Sequence, residues 1–480
     1  MPWNGSLCIV DLQDAYARGE TTPTEVVRTV SERIAAYAKI DPAVWIDLVS
    51  LADLLRRAEE LRNQYAGQAK PRLFGVPISV KNNIDVAGLQ TTVGCPSFAY
   101  VPTETAPVVQ RCLDEGAIIM GTTNLEQFAT GLTGCRSPYG YPRSVFDPDY
   151  ISGGSSSGSA VSVAANLVTF SIGSDTAGSI RLPAVFNGLV GMKPTLYTLS
   201  TRGVVPASKT ADCVSVLAKT VQDARTALGV MRWYDDADTL ARPWSTFDRL
   251  EPWGQRRLRF GTPPRELIDQ LGGAYGRLWK EVLESLQAEQ SPLVPASFDY
   301  GPFRRANDLM YGSSFVVQRL VSFDNYLREH GTSKLHPSVA SIFAASKGFD
   351  AVRAYQDQFK QLEYKRLVER EFRDHLDVLI VPTTVGHWTV QQVEADPLVR
   401  NQQLGLFSMF VNLVDLCAIA VPTGAYTNEN GKEMPFGVTL VAPAGRDEEL
   451  LDLAERLRSI LPPAPSIQPS RKPVAQVGGA

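Results

Sequence analysis

The sequence has little of what marks several large protein classes. Its six cysteines, Cys8, Cys95, Cys112, Cys135, Cys213 and Cys417, are scattered and form no C-x-x-C pair. That spacing excludes a zinc knuckle and offers no disulfide framework. It fits reduced thiols in a cytoplasmic protein. Histidine is scarce, at four residues (His330, His336, His375 and His387), and neither a metal nor an organic cofactor is expected. Net charge is small: 47 basic against 51 acidic residues leave -4 over 480 positions. Such a balance gives no sequence-independent grip on nucleic acid or on an anionic membrane. No apolar run reaches the ~18–20 residues that a membrane helix needs. The first 20 residues lack a basic stretch followed by an apolar core, so no secretory signal is read there.

What is present is core-forming material. Hydrophobic residues make up 44% and charged residues 20%, which excludes a disordered or fibrous chain. The length could hold about three ordinary domains. The pattern argues instead for one large α/β domain over 1–460. Residues 7–70 read as helices. Thr22 is an N-cap, Pro23 the first helical position and Glu25 the closing member of a capping box. A short β-rich run over 72–80 ends at Lys81. Residues 105–130 read as helix, strand (117–121), helix; 159–167 as helix; 167–172 and 189–192 as strands. Residues 71–230 thus form a core. From 235 to 375 the pattern is charged and helical, an insertion on the substrate side. Strands return at 376–384, 417–424 and 436–443, within 376–445, and need the early strands as a sheet to join. The expected fold is a large mixed, mostly parallel sheet covered by helices on both faces. Residues 461–480 are Pro-rich and read as a tail or linker.

The stretch from 151 to 174 is uncharged and about half Ser and Gly, and GSDTAGSIRLP (173–183) overlaps its end. A flexible linker fits the composition, but apolar runs lie between and after the Gly/Ser clusters. A phosphate cradle at 173–179 lacks the lysine of a P-loop. Gly154 to Gly158 matches G-x-S-x-G, yet no apolar strand precedes it, and only His387 sits where a catalytic histidine could follow. The remaining reading is a serine nucleophile activated without histidine. Its base would be a lysine whose pKa falls from ~10.4 to near neutrality. Lys81 ends an apolar strand, and burial among hydroxyls would lower its pKa. Thr176, Ala177, Gly178 and Ser179 offer successive backbone N–H groups, the material of an oxyanion nest.

Lys81, GGSSSGSA (153–160), GSDTAGSIRLPA (173–184) and GLVGMKPT (188–195) resemble the amidase signature family. The resemblance implies a Ser–Ser–Lys triad: Ser179 as nucleophile, Ser155 as bridging serine after a cis peptide bond, and Lys81 as base. It implies that residues 176–179 supply the oxyanion N–H groups, and that the enzyme is a homodimer. Ser174 stands where Thr is usual and Ala177 where Gly is common. Ala177 is tolerable unless that residue must take φ > 0.

Segments 135–150, 200–220, 387–398, 412–424 and 310–320 are similar to the amidase domain of allophanate hydrolases. That subfamily implies Tyr311 and Arg319 as the clamp for the carboxylate of a small anionic amide. Guanidinium–carboxylate pairing suits the task, and a spacing of eight would put both near one helix face. Arg181, just after the nucleophile, is a rival anchor, though a structural role suits it better. The function expected is hydrolysis of the terminal amide of allophanate, in urea or s-triazine nitrogen use. Decarboxylation of the product is left to a separate domain or protein, because the chain ends where many relatives carry one. The alternatives are a 1-carboxybiuret hydrolase or other small-amide amidase, an amidotransferase of the A type, and a catalytically silent binding protein.

Overall fold

The computed structural model describes residues 3–466. Its centre is one eleven-stranded sheet. The strands are β1 (Trp45–Leu48), β2 (Pro77–Lys81), β3 (Ile118–Thr123), β4 (Phe170–Asp175), β5 (Val190–Lys193) and β6 (Cys213–Ala218). They continue with β7 (Leu258–Gly261), β8 (Leu293–Pro295), β9 (Val378–Pro382), β10 (Leu416–Thr427) and β11 (Glu433–Pro443). Spatial order is β1-β3-β2-β4-β6-β5-β10-β11-β9-β7-β8. The large mixed sheet is as expected, but parallel pairing is confined to two blocks, β3-β2-β4 and β9-β7-β8. The middle is antiparallel because β10 and β11 form a long hairpin and β6 runs against both β4 and β5.

The sheet is covered on both faces, which the strand period of two makes visible. In β9, Val378 and Ile380 join one apolar cluster, with Trp279 and Leu453. The alternate residues Leu379 and Val381 join another, with Phe303, Phe372 and Phe410. Strands β2, β3, β4, β5, β6 and β9 are buried along their whole length, and this is why they read as apolar or small-residue runs.

The signal at one helix start held in part. Thr22 caps the helix Pro23–Tyr37 by accepting from Glu25 N at 3.3 Å, although the Glu25 carboxylate takes the Thr21 and Thr22 hydroxyls rather than a backbone N–H. Five cysteines are buried, Cys8 is half-buried, and all six are free. No helix among the described residues is long and apolar enough to cross a membrane. Most of the expected tail lies outside the described residues. Its start is pinned to the sheet, where Pro462 O accepts from Gly424 N at 2.9 Å and from Thr423 Oγ1 at 2.7 Å.

Three expectations need correction. Residues 235–375 are not wholly helical: β7 and β8 lie there and extend the sheet edge. They are four and three residues long, too short to show a period. β1 likewise hides within 7–70 as a four-residue edge strand. The helix expected after β3 is an irregular buried loop, because Phe128 and Ala129 take left-handed φ values of 54° and 50°.

That loop meets the helical region through an aromatic cluster. Phe128 stacks on Phe323 at 4.1 Å, with Tyr326, Val339 and Phe343 around them. Phe323 belongs to the helix Gln318–His330, which carries Arg319, so this packing seats that helix on the sheet domain. Phe323→Ala should destabilise the fold by about 3–5 kcal/mol, as large-to-small core changes do. Urea unfolding checks this; an unchanged midpoint and slope would contradict the docking role.

Candidate active site

Lys81 is the last residue of β2 and is completely buried. Flanking strands β3 and β4 close both of its sides. Its Nζ contacts Ser155 Oγ at 2.7 Å, Ser174 Oγ at 3.0 Å and Ser174 O at 3.3 Å. Among the described residues no carboxylate lies within ion-pair distance of it; all three contacts are neutral. Burial therefore dominates and lowers its pKa from 10.5 to about 7, against the more distant fields of Asp175, Asp212 and Glu126. Three contacts suit a neutral amine: two N–H groups donate to Ser174, and the lone pair accepts from the Ser155 hydroxyl. Ser174 in place of Thr keeps the hydroxyl, which also accepts from Asn83 Nδ2 at 3.1 Å.

Ser155 is presented from behind by the 124–137 loop. The Gly154–Ser155 peptide bond is cis. Gly154 N donates to Leu132 O at 2.8 Å, and Glu126 N donates to Ser155 O at 3.1 Å. A Cβ on Gly154 would lie 2.8 Å from Glu126 Cγ and from Gly134 N, so only glycine fits. Ser156 N donates to Ser179 O at 3.3 Å and Ser156 Oγ to Ser174 O at 3.4 Å, which ties the two Ser/Gly segments together. Both segments are buried, and the linker reading falls. Ser155 Oγ and Ser179 Oγ make no direct hydrogen bond in this structure. Such contacts tighten when a substrate fills a site.

After β4 the chain turns over the Asp175 carboxylate. Asp175 Oδ1 accepts from Gly178 N (2.9 Å) and Arg181 Nη2 (2.8 Å), and Oδ2 from Ile180 N (3.1 Å) and Arg181 Nε (3.0 Å). Burial alone would raise the Asp175 pKa; the Arg181 charge and these bonds outweigh it and hold the group below its usual value. The other edge of Arg181 reaches Ser408 O and Asn412 Oδ1. Arg181 is thus spent inside the fold, and the idea that it anchors a substrate carboxylate is overturned. Gly178 has φ 121°, and a Cβ there would meet Leu182 Cδ1 at 2.5 Å and Ser408 Oγ at 2.6 Å. Ala177 is not among the left-handed residues, so its methyl costs nothing. Gly178 N is committed to Asp175, which leaves the N–H groups of Thr176, Ala177 and Ser179 without a protein acceptor among the described residues. The Thr176 hydroxyl donates to Asp212. Asp212 is buried, and desolvation raises its pKa despite four accepted hydrogen bonds.

Tyr311 and Arg319 do meet, but not on one helix. Tyr311 lies in the helix Gly301–Gly312 and Arg319 in Gln318–His330, with an extended Ser313 between them. Asp357, from the helix Ala351–Asp374, accepts from Ser314 N at 3.0 Å and holds the break. Across it, the Arg319 guanidinium sits 5.1 Å from the Tyr311 ring centre, and Nη2 is 3.4 Å from the Tyr311 hydroxyl. Arg319 is buried and its Nη1 has no partner among the described residues.

His387 is excluded as a base. It stacks on Phe186 at 3.9 Å, and its Nε2 is 2.7 Å from Ile151 O. Burial lowers its pKa to about 4, which makes it a weak base, and among the described residues no serine hydroxyl is its hydrogen-bond partner. Sequence reasoning missed Asn83, Glu126, Thr130, Asp175 and Asp212 as parts of the site. Two of them left a trace: Asp175 lies inside the quoted 173–184 motif, and Thr130 is followed by the glycine-flanked turn Gly131-Leu132-Thr133-Gly134. Among the described residues no group of three or more His, Cys, Asp or Glu could hold a metal.

For the base that the family resemblance implies, the competent form of Lys81 would be the neutral amine. Amide hydrolysis should therefore lose close to tenfold in kcat/KM per pH unit below about 7, and level off above about 8. A pH–rate profile flat from about 5 to 9 would contradict this.

Residues 25–451 match the family model described as Amidase. The urea amidolyase of Saccharomyces cerevisiae is 39% identical over 87% of this chain, which spans only 22% of that much longer protein. The A-type component of the glutamyl-tRNA(Gln) amidotransferase of Deinococcus deserti is 32% identical, with 94% of this chain and 95% of that protein covered. The solved Kluyveromyces lactis allophanate hydrolase superposes with a TM-score of 0.83 at 34% identity, over 95% of this chain and 72% of that one. With this fold and this match, the chain belongs to the amidase family.

Proposed function

We propose that this chain hydrolyses the terminal amide of allophanate, with Ser179 as nucleophile, Ser155 as bridging serine and Lys81 as base. The observation that carries the mechanism is the buried lysine with only neutral partners, 2.7 Å from Ser155 Oγ. Neutral Lys81 takes the Ser155 proton as Ser155 takes that of Ser179. The Ser179 oxygen then adds to the amide carbonyl. The developing oxyanion is met by the free N–H groups of Thr176, Ala177 and Ser179. The proton returns through Ser155 to the leaving nitrogen, ammonia departs, and water cleaves the ester left on Ser179. For allophanate the sum is allophanate plus water giving N-carboxycarbamate and ammonium.

The substrate reading rests on Arg319. A buried guanidinium with an unpaired Nη1 calls for an oxygen anion, and Tyr311 beside it adds a hydroxyl. Likeness to urea amidolyase and to allophanate hydrolase points to the same anion. Likeness to a component of an amidotransferase keeps glutamine as the second reading.

Purified protein should release ammonia from allophanate faster than from 1-carboxybiuret, malonamate or glutamine; preference for glutamine would move it to the second reading. Ser179→Ala and Lys81→Ala should each lose at least about 10³-fold in kcat, and substantial residual turnover in either would refute the triad. Arg319→Gln should raise KM for allophanate by about tenfold or more. A KM equal to wild type would remove the clamp.

A further inference from the structure

The three nitrogens of Arg319 have different fates. Nε donates to Thr130 Oγ1 at 3.2 Å, Nη2 makes a long contact to the Tyr311 hydroxyl at 3.4 Å, and Nη1 is buried without a partner among the described residues. Thr130 is itself fixed from two sides. Its hydroxyl donates to Phe128 O at 3.0 Å, which turns the oxygen lone pairs toward Arg319. Its carbonyl accepts from Nη1 of the buried Arg136 at 2.9 Å, while Arg136 Nη2 reaches Pro397 O at 3.1 Å. The two left-handed residues before it, Phe128 and Ala129, give the chain the turn that brings Thr130 to this place.

We infer that Thr130 is the positioning residue of the carboxylate clamp. By taking Nε, it forces the guanidinium to meet the substrate carboxylate end-on, through Nη1 and Nη2. This deepens the allophanate reading and rests on the role given there to Arg319. It also explains how the clamp keeps its distance from the reacting carbonyl. Thr130 belongs to the loop whose Leu132 O accepts from Gly154 N at 2.8 Å and whose Glu126 N donates to Ser155 O at 3.1 Å. One rigid loop thus holds the guanidinium and the bridging serine. An anionic amide of the right reach places its carboxylate on Nη1 and Nη2 and its carbonyl over Ser179. A neutral amide of the same shape gains nothing from the clamp.

The test compares malonamate with propionamide, which replaces the carboxylate by a methyl group. The readout is the ratio of their kcat/KM values. Thr130→Val keeps the branched shape and removes the acceptor; the ratio should fall about tenfold, the loss of one hydrogen bond to a charged group, and the loss should lie in KM for malonamate. Thr130→Ser should recover most of it. Thr130→Val added to Arg319→Gln should cost no more than Arg319→Gln alone. If Thr130→Val lowers the thermal midpoint too far for assay, Thr130→Ala carries the same expectation. A ratio unmoved by the Thr130 variants but collapsed by Arg319→Gln overturns the inference and spares the clamp. A ratio unmoved by both overturns the clamp as well.

Discussion

A lysine buried with no carboxylate partner is the constraint around which this molecule is organised. Lowering the Lys81 pKa from 10.5 to about 7 corresponds to on the order of 5 kcal/mol of preference for the neutral form. The surroundings maintain that preference by geometry. The buried acids whose fields raise its pKa are each engaged elsewhere: Asp175 by Arg181, Asp212 by Thr176 and the 207–208 backbone, Glu126 by Thr133 and Gly134. Each acts on Lys81 through its field, and none forms an ion pair with it. Direct pairing with any of them would hold the ammonium and remove the base.

Two fully buried arginines are engaged to different extents. The guanidinium of Arg181 is used up by Asp175, Ser408 and Asn412, and it shapes the turn that exposes three N–H groups beside Ser179. Arg319 is only partly used, with Thr130 at one edge and nothing on Nη1. Burial with an unmet donor is costly in the empty protein, and an oxygen anion is the kind of ligand that would relieve it. Composition alone shows both residues as arginines near Ser/Gly motifs; their partners separate the roles.

Much of the sheet and part of the site were legible because their causes are local. Lys81 at the end of an apolar run, the Thr22 cap and the runs that became β4, β5 and β9 all follow from short-range pattern. What failed has long-range causes. The helix expected after β3 is replaced by a loop that serves Ser155 and Arg319, held by contacts to residues hundreds of positions away, such as Leu132 N donating to Asn401 Oδ1. Tyr311 and Arg319, the proposed clamp, looked like neighbours on one helix, but Asp357, more than 40 residues downstream, captures Ser314 N and holds the break between them. The short strands β7 and β8 carry too few residues for a period and are defined by the edge they join. The nest was read as four N–H donors, and only the fold shows that Asp175 claims the one from Gly178.

The most direct measurement of the central claim is the stability of wild-type protein against Lys81→Met as a function of pH. A lysine whose folded pKa is about 7 and whose unfolded value is 10.5 leaves the unfolded chain holding more protons between those limits. Stability contributed by this group must then rise with pH across that window. The difference between the two proteins cancels every other titration. Urea unfolding at intervals from about pH 7 to 10 should show wild type gaining on Lys81→Met by several kcal/mol. A difference that does not change with pH would mean that the ammonium is as comfortable in the fold as in water, and the account of Lys81 as a neutral base would be wrong.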